Sequence, residues 1–330
     1  MRTLTKVSRI ALFAIVAAIS ITAGWLLFLE FPDSTLELLG IVLLLLTIPA
    51  ALRFAGSVAA SIVPAYNVAE VSVKGPITRE AKGGLGTTPM ATGADQLVEQ
   101  IERADQDSSV QALLVGLNTP GGEIVPSEDI KLAAERFDGP TVAYATDTCA
   151  SGGYEIASGC DEIWAREGSL VGSIGVIGSR VTAAELAEKL GLEYEQLTAG
   201  EFKDAGVPLK DLEDHEREYL QGLIDTYYEQ FVSNVSERRD LDRTEIEATE
   251  ARVYLGTDAV ENGLVDELGT REDVETALEN RIGEDVVVRK FEPELGLGQR
   301  LNLGAQQVAY AFGSGIASTF LGEENRFTFR

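Results

Sequence analysis

Histidine and cysteine are scarce in this chain. Its 330 residues include one histidine, His215, and two cysteines, Cys149 and Cys160. Two cysteines are too few for a zinc site or a disulfide framework, and a single histidine does not build a metal centre. The glycine-rich stretch at residues 83–93 lacks the Gly-Lys-Ser/Thr ending of a phosphate-binding loop. We therefore expect neither a metal nor any other cofactor.

Net positive charge is lacking too. The chain has 53 acidic and 27 basic residues, a net charge of -26 and a pI near 4.4. A nucleic-acid-binding protein needs a basic face to displace counterions from the phosphates, so the composition excludes nucleic acid as a partner. Because the acidic residues are spread along the chain, the sequence predicts a strongly solvated surface suited to high salt. We expect a halophilic source.

Charged residues are absent from one long N-terminal stretch. From Ile10 to Leu29 the chain runs for 20 residues without a charge, which is long enough to span a bilayer. Three basic residues precede this stretch, and a second apolar stretch runs from about Leu38 to Leu52. The sequence predicts transmembrane helices paired as a hairpin within residues 1–66, and therefore a multi-pass protein of the cell membrane.

Two other interpretations of the N-terminal stretch stay open. It could be a signal peptide cleaved near Ala59 and Ala60, or a single span followed by an interfacial helix. The basic residues place the N-terminus in the cytoplasm. A hairpin would return the rest of the chain to the cytoplasm, whereas a single span would place it outside, so the sequence leaves the side of the membrane undecided.

Residues 67–290 alternate between strand-like and helix-like patterns, which indicates an α/β domain. Strands are predicted at Val68–Val73, at Val110–Leu117 and, as a short apolar run, at Ile174–Ile177. An amphipathic helix is predicted over Ala94–Ala104. A longer helix over Leu212–Arg238 carries an apolar stripe that predicts core or a subunit interface. Residues 291–330 are predicted to be a separate tail whose apolar part packs or touches a membrane.

Ser151 lies in the run TCASGGY at residues 148–154, between a predicted strand and a helical stretch. Alone, a serine in this place is a favoured helix N-cap. As a nucleophile it would need a base, and the single histidine leaves few groups that can take up a seryl proton. A lysine whose ammonium is destabilised by burial can do so. The candidate is Lys203, one of eight lysines, in the run GEFKDAG at residues 200–206.

A second glycine turn, NTPGG at residues 118–122, directly follows an apolar strand. Two such turns can present backbone N–H groups to one carbonyl. Together, the ordered motifs between Val68 and Gly269 resemble the signal peptide peptidase A (SppA) family, membrane-bound Ser–Lys serine proteases with a Clp/crotonase-like fold. No internal repeat is visible, so the chain is similar to the half-length form of that family.

The resemblance implies roles for five residues. Ser151 matches the family nucleophile, and Lys203, which follows it by 52 residues, matches the general base. The backbone N–H groups of Gly122 and Gly152 match the oxyanion hole. Ser173 matches a serine that hydrogen-bonds and orients the lysine.

The resemblance also implies stacked β-sheet turns with surrounding helices, and endopeptidase activity on signal-peptide remnants or other short unfolded peptides. Single-copy forms share each active site between neighbouring subunits, so a homo-oligomeric ring is expected. Asp204 is a point of concern for this chemistry, because a carboxylate close to Lys203 would raise the pKa of the lysine unless it points elsewhere.

Three other functions stay open at the level of sequence. A Clp-type peptidase would share the fold and use His215 as its base, although His215 lies in a charged helical stretch. A crotonase-type acyl-CoA enzyme would use the two glycine turns without needing Ser151 or Lys203. A membrane scaffold would keep the fold without the chemistry.

Overall fold

The structure is a computed structural model that describes residues 2–26, 48, 51–56, 66–80 and 93–293. Helix α1 runs from Arg2 to Trp25, and residues 51–56 are also helical. No helix within these ranges is both long and apolar enough to cross a membrane. The transmembrane helices expected from the sequence are therefore not found among the described residues. Most of the second expected span, at residues 38–52, lies outside them, as does most of the tail.

A single eight-stranded sheet organises the described part of the domain. Its strands follow the order β6-β5-β3-β2-β1-β8, with β4 pairing with β3 and β7. All neighbours are parallel except β5 and β6, which are antiparallel. The strands are β1 Val68–Lys74, β2 Ala112–Thr119, β3 Thr141–Ala150, β4 Glu162–Ala165, β5 Leu170–Gly172, β6 Val253–Leu255, β7 Glu267–Leu268 and β8 Val288–Lys290.

Strand β3 is the element that places the site. Its first half, Val142–Ala145, pairs with β4, whereas its last three residues, 148–150, pair with β5. The register of β2 against β3 shifts between Leu117 and Thr119. A strand that changes its partner partway carries its end out of the first ladder. The carboxyl ends of β2, β3 and β5 consequently meet at one edge of the sheet.

Helices cover the sheet on both faces. They are α2 Ala94–Asp105, α3 Ile124–Glu135, α4 Gly152–Ser158, α5 Ala184–Lys189, α6 Asp214–Arg239, α7 Arg243–Ala248, α8 Gly256–Glu261 and α9 Arg271–Ile282. One core cluster includes Val71, Val115 and Tyr154, and a second includes Leu114 and Val274. Because both faces are covered, β2 is a continuous apolar run from Ala112 to Leu117, as buried parallel strands are. The α/β class predicted from the sequence is confirmed.

The prediction of a strand at Ile174–Ile177 is wrong. Strand β5 ends at Gly172, residues 174–177 have no regular secondary structure, and Ile177 is 84% exposed. Periodicity cannot distinguish a short apolar run in a strand from the same run on a surface. Here the neighbouring β6 pairs only with residues 170–172, so nothing extends the ladder further.

Candidate active site

Ser151 forms the junction between β3 and α4. Its φ of 53° and ψ of -124° put a non-glycine residue in a region of backbone conformation that such residues rarely adopt. The N–H of Ser151 donates to the carbonyl of Gly172 (2.9 Å), and its own carbonyl accepts from the N–H groups of Tyr154 and Glu155. Its side chain makes no capping hydrogen bond to α4. A strained serine at a strand-to-helix turn is the geometry of a nucleophile elbow.

The turn at Gly121 and Gly122 packs directly against Ser151. Gly121 has a φ of +95°, and a Cβ added there would lie 2.7 Å from the Cβ of Ser151. On the other side, a Cβ on Gly122 would lie 2.0 Å from the carbonyl oxygen of Ile77. The Ile77 N–H donates to the Gly121 carbonyl, and the Glu123 N–H donates to the Ile77 carbonyl, both at 2.9 Å. Only glycine fits this turn, because backbone lies close on both sides.

Two backbone donors remain free beside Ser151. The nitrogen of Gly122 lies 3.5 Å from the point that a Cβ on Gly152 would occupy, so the two turns are adjacent. Within the described part of the chain, neither the Gly122 N–H nor the Gly152 N–H donates a hydrogen bond. The first N–H groups of a helix have no partner within the helix, which accounts for Gly152. Two such donors can bind an oxyanion that develops on a carbonyl held over Ser151.

A cleft of about 560 Å³ opens next to these donors. Helix α3 forms one wall, helix α6 a second, and the irregular segment after β5 a third. The volume is in the range of pockets that bind small ligands or side chains. The residues that line it are Gly122, Ile124, Ser127, Glu128, Ser151, Gly152, Glu155, Gly175, Val176, Ile177, Tyr227, Gln230, Phe231 and Asn234.

Ser173 lies on the neighbouring strand end, one residue beyond Gly172, which pairs with Ala150. It has a φ of 53°, is half-buried, and its N–H donates to the carbonyl of Arg252 (2.8 Å). The structure thus gathers Ser151, Gly122 and Gly152 into one site, with Ser173 close by along the sheet edge.

Lys203 is not part of this site within one chain. It lies in a turn-rich segment, its side chain is exposed, and it does not line the cleft of Ser151. No hydrogen bond or ion pair of its ammonium group occurs among the described residues. Burial of the kind expected for a lysine base is not provided by this chain alone.

The segment around Lys203 is nevertheless held firmly to α6. The Nζ of Lys210 lies 2.6 Å from a carboxylate oxygen of Asp204 and 2.6 Å from one of Glu216, which is buried at the start of α6. The hydrogen bond from Lys210 lowers the pKa of Asp204. The Phe202 ring packs on Tyr219, with centroids 4.6 Å apart. The carboxylate of Asp204 is therefore bound to Lys210 and does not point to Lys203.

Neither His215 nor Cys149 is placed for catalysis with Ser151. His215 is 44% exposed, does not line the cleft, and lies near Glu213 (3.5 Å) and Glu201 (4.0 Å). Cys149 is fully buried, and burial raises the pKa of its thiol far above the ordinary value. A buried, protonated thiol is unreactive. The structure gives no support to a Ser–His arrangement in this chain.

The sequence motifs did not predict the polar residues of the cleft, above all Glu155 and Glu128. Glu155 follows Ser151 by four residues, so a helix starting at Gly152 carries it one turn on from the serine. That spacing is visible in the sequence. Glu128 and Asn234 come from distant helices, and no sequence signal links them to Ser151.

Comparison with known proteins points to a single family. The family model described as peptidase family S49 matches residues 134–284. The chain is 35% identical over 234 residues to "Putative protease MJ0651" of Methanocaldococcus jannaschii, covering 69% of this chain and 74% of that protein. It is 33% identical over 210 residues to "Putative signal peptide peptidase SppA" of Enterococcus faecium, covering 62% and 61%. It is 37% identical over 192 residues to "Putative protease slr0021" of Synechocystis, covering 57% and 69%.

Proposed function

Because the chain belongs to peptidase family S49 and is a serine peptidase, we propose that it is a membrane-anchored endopeptidase with a Ser–Lys dyad on a Clp/crotonase-like fold. Its proposed substrates are signal-peptide remnants or other short unfolded peptides. One observation carries the proposal: Ser151 stands in a strained strand-to-helix turn beside two free backbone donors and an open cleft.

In the proposed reaction the hydroxyl oxygen of Ser151 attacks the carbonyl carbon of the scissile peptide bond. Lys203, acting as a neutral amine, takes up the seryl proton and then passes it to the leaving amine. The N–H groups of Gly122 and Gly152 stabilise the oxyanion of the tetrahedral intermediate. Water, activated by the same lysine, then hydrolyses the acyl-enzyme. The strained backbone of Ser151 is maintained by the hydrogen bond to Gly172.

We further propose that the lysine of each site comes from a neighbouring subunit of a homo-oligomeric ring. Two features support this. Lys203 is exposed and lies outside the cleft of its own chain. The same region carries apolar side chains that a monomer would leave in water, with Leu197 92% exposed and Val181 81% exposed. Large exposed apolar areas mark interaction surfaces.

Mixing two inactive variants tests the shared site. Ser151→Ala chains retain Lys203, and Lys203→Met chains retain Ser151, so a mixed assembly contains some complete dyads. Random assembly of equal amounts should restore activity at about a quarter of the sites. Peptidase activity should therefore rise from background to about a quarter of wild type, in mixtures shown by pull-down to be hetero-oligomers. Hetero-oligomers without activity would place both residues of the dyad in one chain.

Membrane attachment is part of the proposal and is based on the uncharged run from Ile10 to Leu29. The full chain should sediment with membranes and resist extraction by alkaline carbonate, because apolar attachment does not depend on charge. Peripheral proteins in the same membrane sample serve as the control, since carbonate should release them. Release of this chain into the carbonate supernatant would count against an integral anchor.

A further inference from the structure

The cleft beside Ser151 carries two carboxylates that no step of the proposed reaction uses. Glu155 lies one turn after Ser151 on α4 and is only 7% exposed, and Glu128 lies on α3 and is half-buried. Both line the cleft, and none of its described lining residues is a lysine, arginine or histidine. The space next to the nucleophile is therefore acidic.

The negative charge of the Glu155 carboxylate is incompletely compensated by the residues around it. Burial raises the pKa of its carboxyl, and the charge of Glu128 raises it further, while buried Lys131 and the amide of Asn234 oppose this shift. The Asn234 amide donates to Oε1 of Glu155 over a long 3.4 Å, and within the described residues nothing donates to Oε2. Among the described residues that act on the charge of Glu155, Lys131 is the one cation and Glu128 is a second carboxylate. A further cation or N–H donor would stabilise the buried charge.

The remaining walls suit a long aliphatic chain. Ile124 and Phe231 contribute apolar side chains, and Tyr227 of α6 contributes an aromatic one. Lysine and arginine side chains bury their methylene stems along such surfaces while the charged head reaches a polar partner. An apolar side chain would fill the same space but would add no donor to Glu155 beyond Lys131 and Asn234.

We propose that this cleft binds a lysine or arginine side chain of the substrate peptide, with Glu155 as the principal partner of its charged head and Glu128 as a second partner. The proposal rests on the function proposed above and refines it by assigning a substrate class to the same site. It makes Glu155 a specificity-determining residue, since the carboxylate touches the substrate and takes no part in proton transfer.

Competition between matched peptides tests the preference. Each pair is identical except that lysine is replaced by norleucine, which keeps the stem and removes the charge, and the lysine is moved through each position in turn. For one position we expect wild-type kcat/KM to favour lysine about tenfold, as charge-assisted hydrogen bonds do. Glu155→Gln should bring the ratio near one, and Glu128→Gln should lower it in part.

A surface variant controls for the overall acidity of the chain. Glu167 lies in an exposed turn between β4 and β5, so Glu167→Gln removes the same charge away from the cleft. Its lysine preference should equal that of wild type. An equal fall in Glu167→Gln and Glu155→Gln would assign the preference to the net charge of -26, and would overturn the proposal, as would a wild-type ratio near one at every position.

The preference should also depend on pH in a defined direction. Glu155 faces Lys131 and Glu128 of α3 and Asn234 of α6. Because burial raises the pKa of Glu155, its charge is lost at a higher pH than that of an ordinary carboxyl. The lysine-to-norleucine ratio should fall as pH is lowered through that raised pKa. Both peptides use the same nucleophile and base, so the ratio cancels the titration of the catalytic groups.

Binding to the inactive Ser151→Ala protein separates this inference from the proposed function. Fluorescence anisotropy with the labelled lysine and norleucine peptides measures the preference without catalysis. Equal affinities would overturn the proposed pocket even if the wild type cleaves peptides. A lysine preference in binding to Ser151→Ala, together with a wild-type protein that cleaves none of the peptides, would count against the peptidase mechanism alone. Thermal melting confirms that the near-isosteric Glu155→Gln and Glu128→Gln variants remain folded.

Discussion

Ser151→Ala and Lys203→Met are each expected to abolish peptidase activity while the protein stays folded and assembled. Each change removes one half of the proposed proton-transfer pair, and such losses in serine hydrolases reduce kcat by about 10³-fold or more. Lys203→Arg should fail as well, because a guanidinium does not release its proton at usable pH. Initial rates on an unfolded peptide, with melting and sizing of each variant, provide the measurement.

Two matched variants make this result specific. Lys189→Met removes an exposed lysine from the same region of the chain, and His215→Ala removes the only histidine. Both should retain near wild-type rates. An active Lys203→Met protein would show that a different residue acts as the general base. An inactive His215→Ala protein, paired with an active Lys203→Met protein, would replace the dyad with a Ser–His mechanism.

Gly122→Ala is expected to produce the second large loss. The new methyl group would lie 2.0 Å from the backbone carbonyl oxygen of Ile77, so the turn must move and carry its N–H away from Ser151. Loss of one oxyanion donor lowers kcat by about 10² to 10³-fold. The KM for peptides should change much less, because the donor acts mainly in the transition state. Steady-state kinetics on the folded variant checks this.

Gly168→Ala is the matched control, since a Cβ at that position meets no atom within 4 Å. It should leave both kcat and the melting temperature unchanged. A folded Gly122→Ala protein with normal kcat would show that the oxyanion is stabilised by another group. A lowered melting temperature of Gly122→Ala is also expected, because the strain falls on backbone that cannot rotate away.

The local elements of the domain can be predicted well from the sequence. Strand β2 is expected at 110–117 and lies at Ala112–Thr119, and the long helix expected over 212–238 is α6 at Asp214–Arg239. Buried parallel strands and amphipathic helices leave strong patterns, because most residues on a buried face are apolar. The glycine turns are equally visible, since close backbone packing excludes any other residue.

The solvent exposure of apolar side chains cannot be predicted from the sequence in the same way. The sequence predicts that the apolar stripe of α6 is core or subunit interface. In the single chain only part of this stripe is buried. Phe231 is buried, whereas Leu223 and Tyr227 are exposed. The run at 174–177 likewise has the pattern of a buried strand, yet only Ile174 is buried, and residues 175–177 line the cleft. Burial depends on what packs against a segment, and that information is not local.

The α/β class, the two glycine turns and the place of Ser151 between a strand and a helix could all be predicted from local patterns along the chain, because each depends on residues that are near neighbours in sequence. Three relations become visible only once the chain is folded: the nitrogen of Gly122 lies next to Gly152, Lys203 lies outside the cleft of its own chain, and Glu155 and Glu128 both line the cleft of Ser151. These relations join residues from separate strands and helices. They arise because β3 pairs with β4 along its first half and with β5 at its end, and because α3 and α6 both line the cleft beside Ser151. No spacing in the sequence records this.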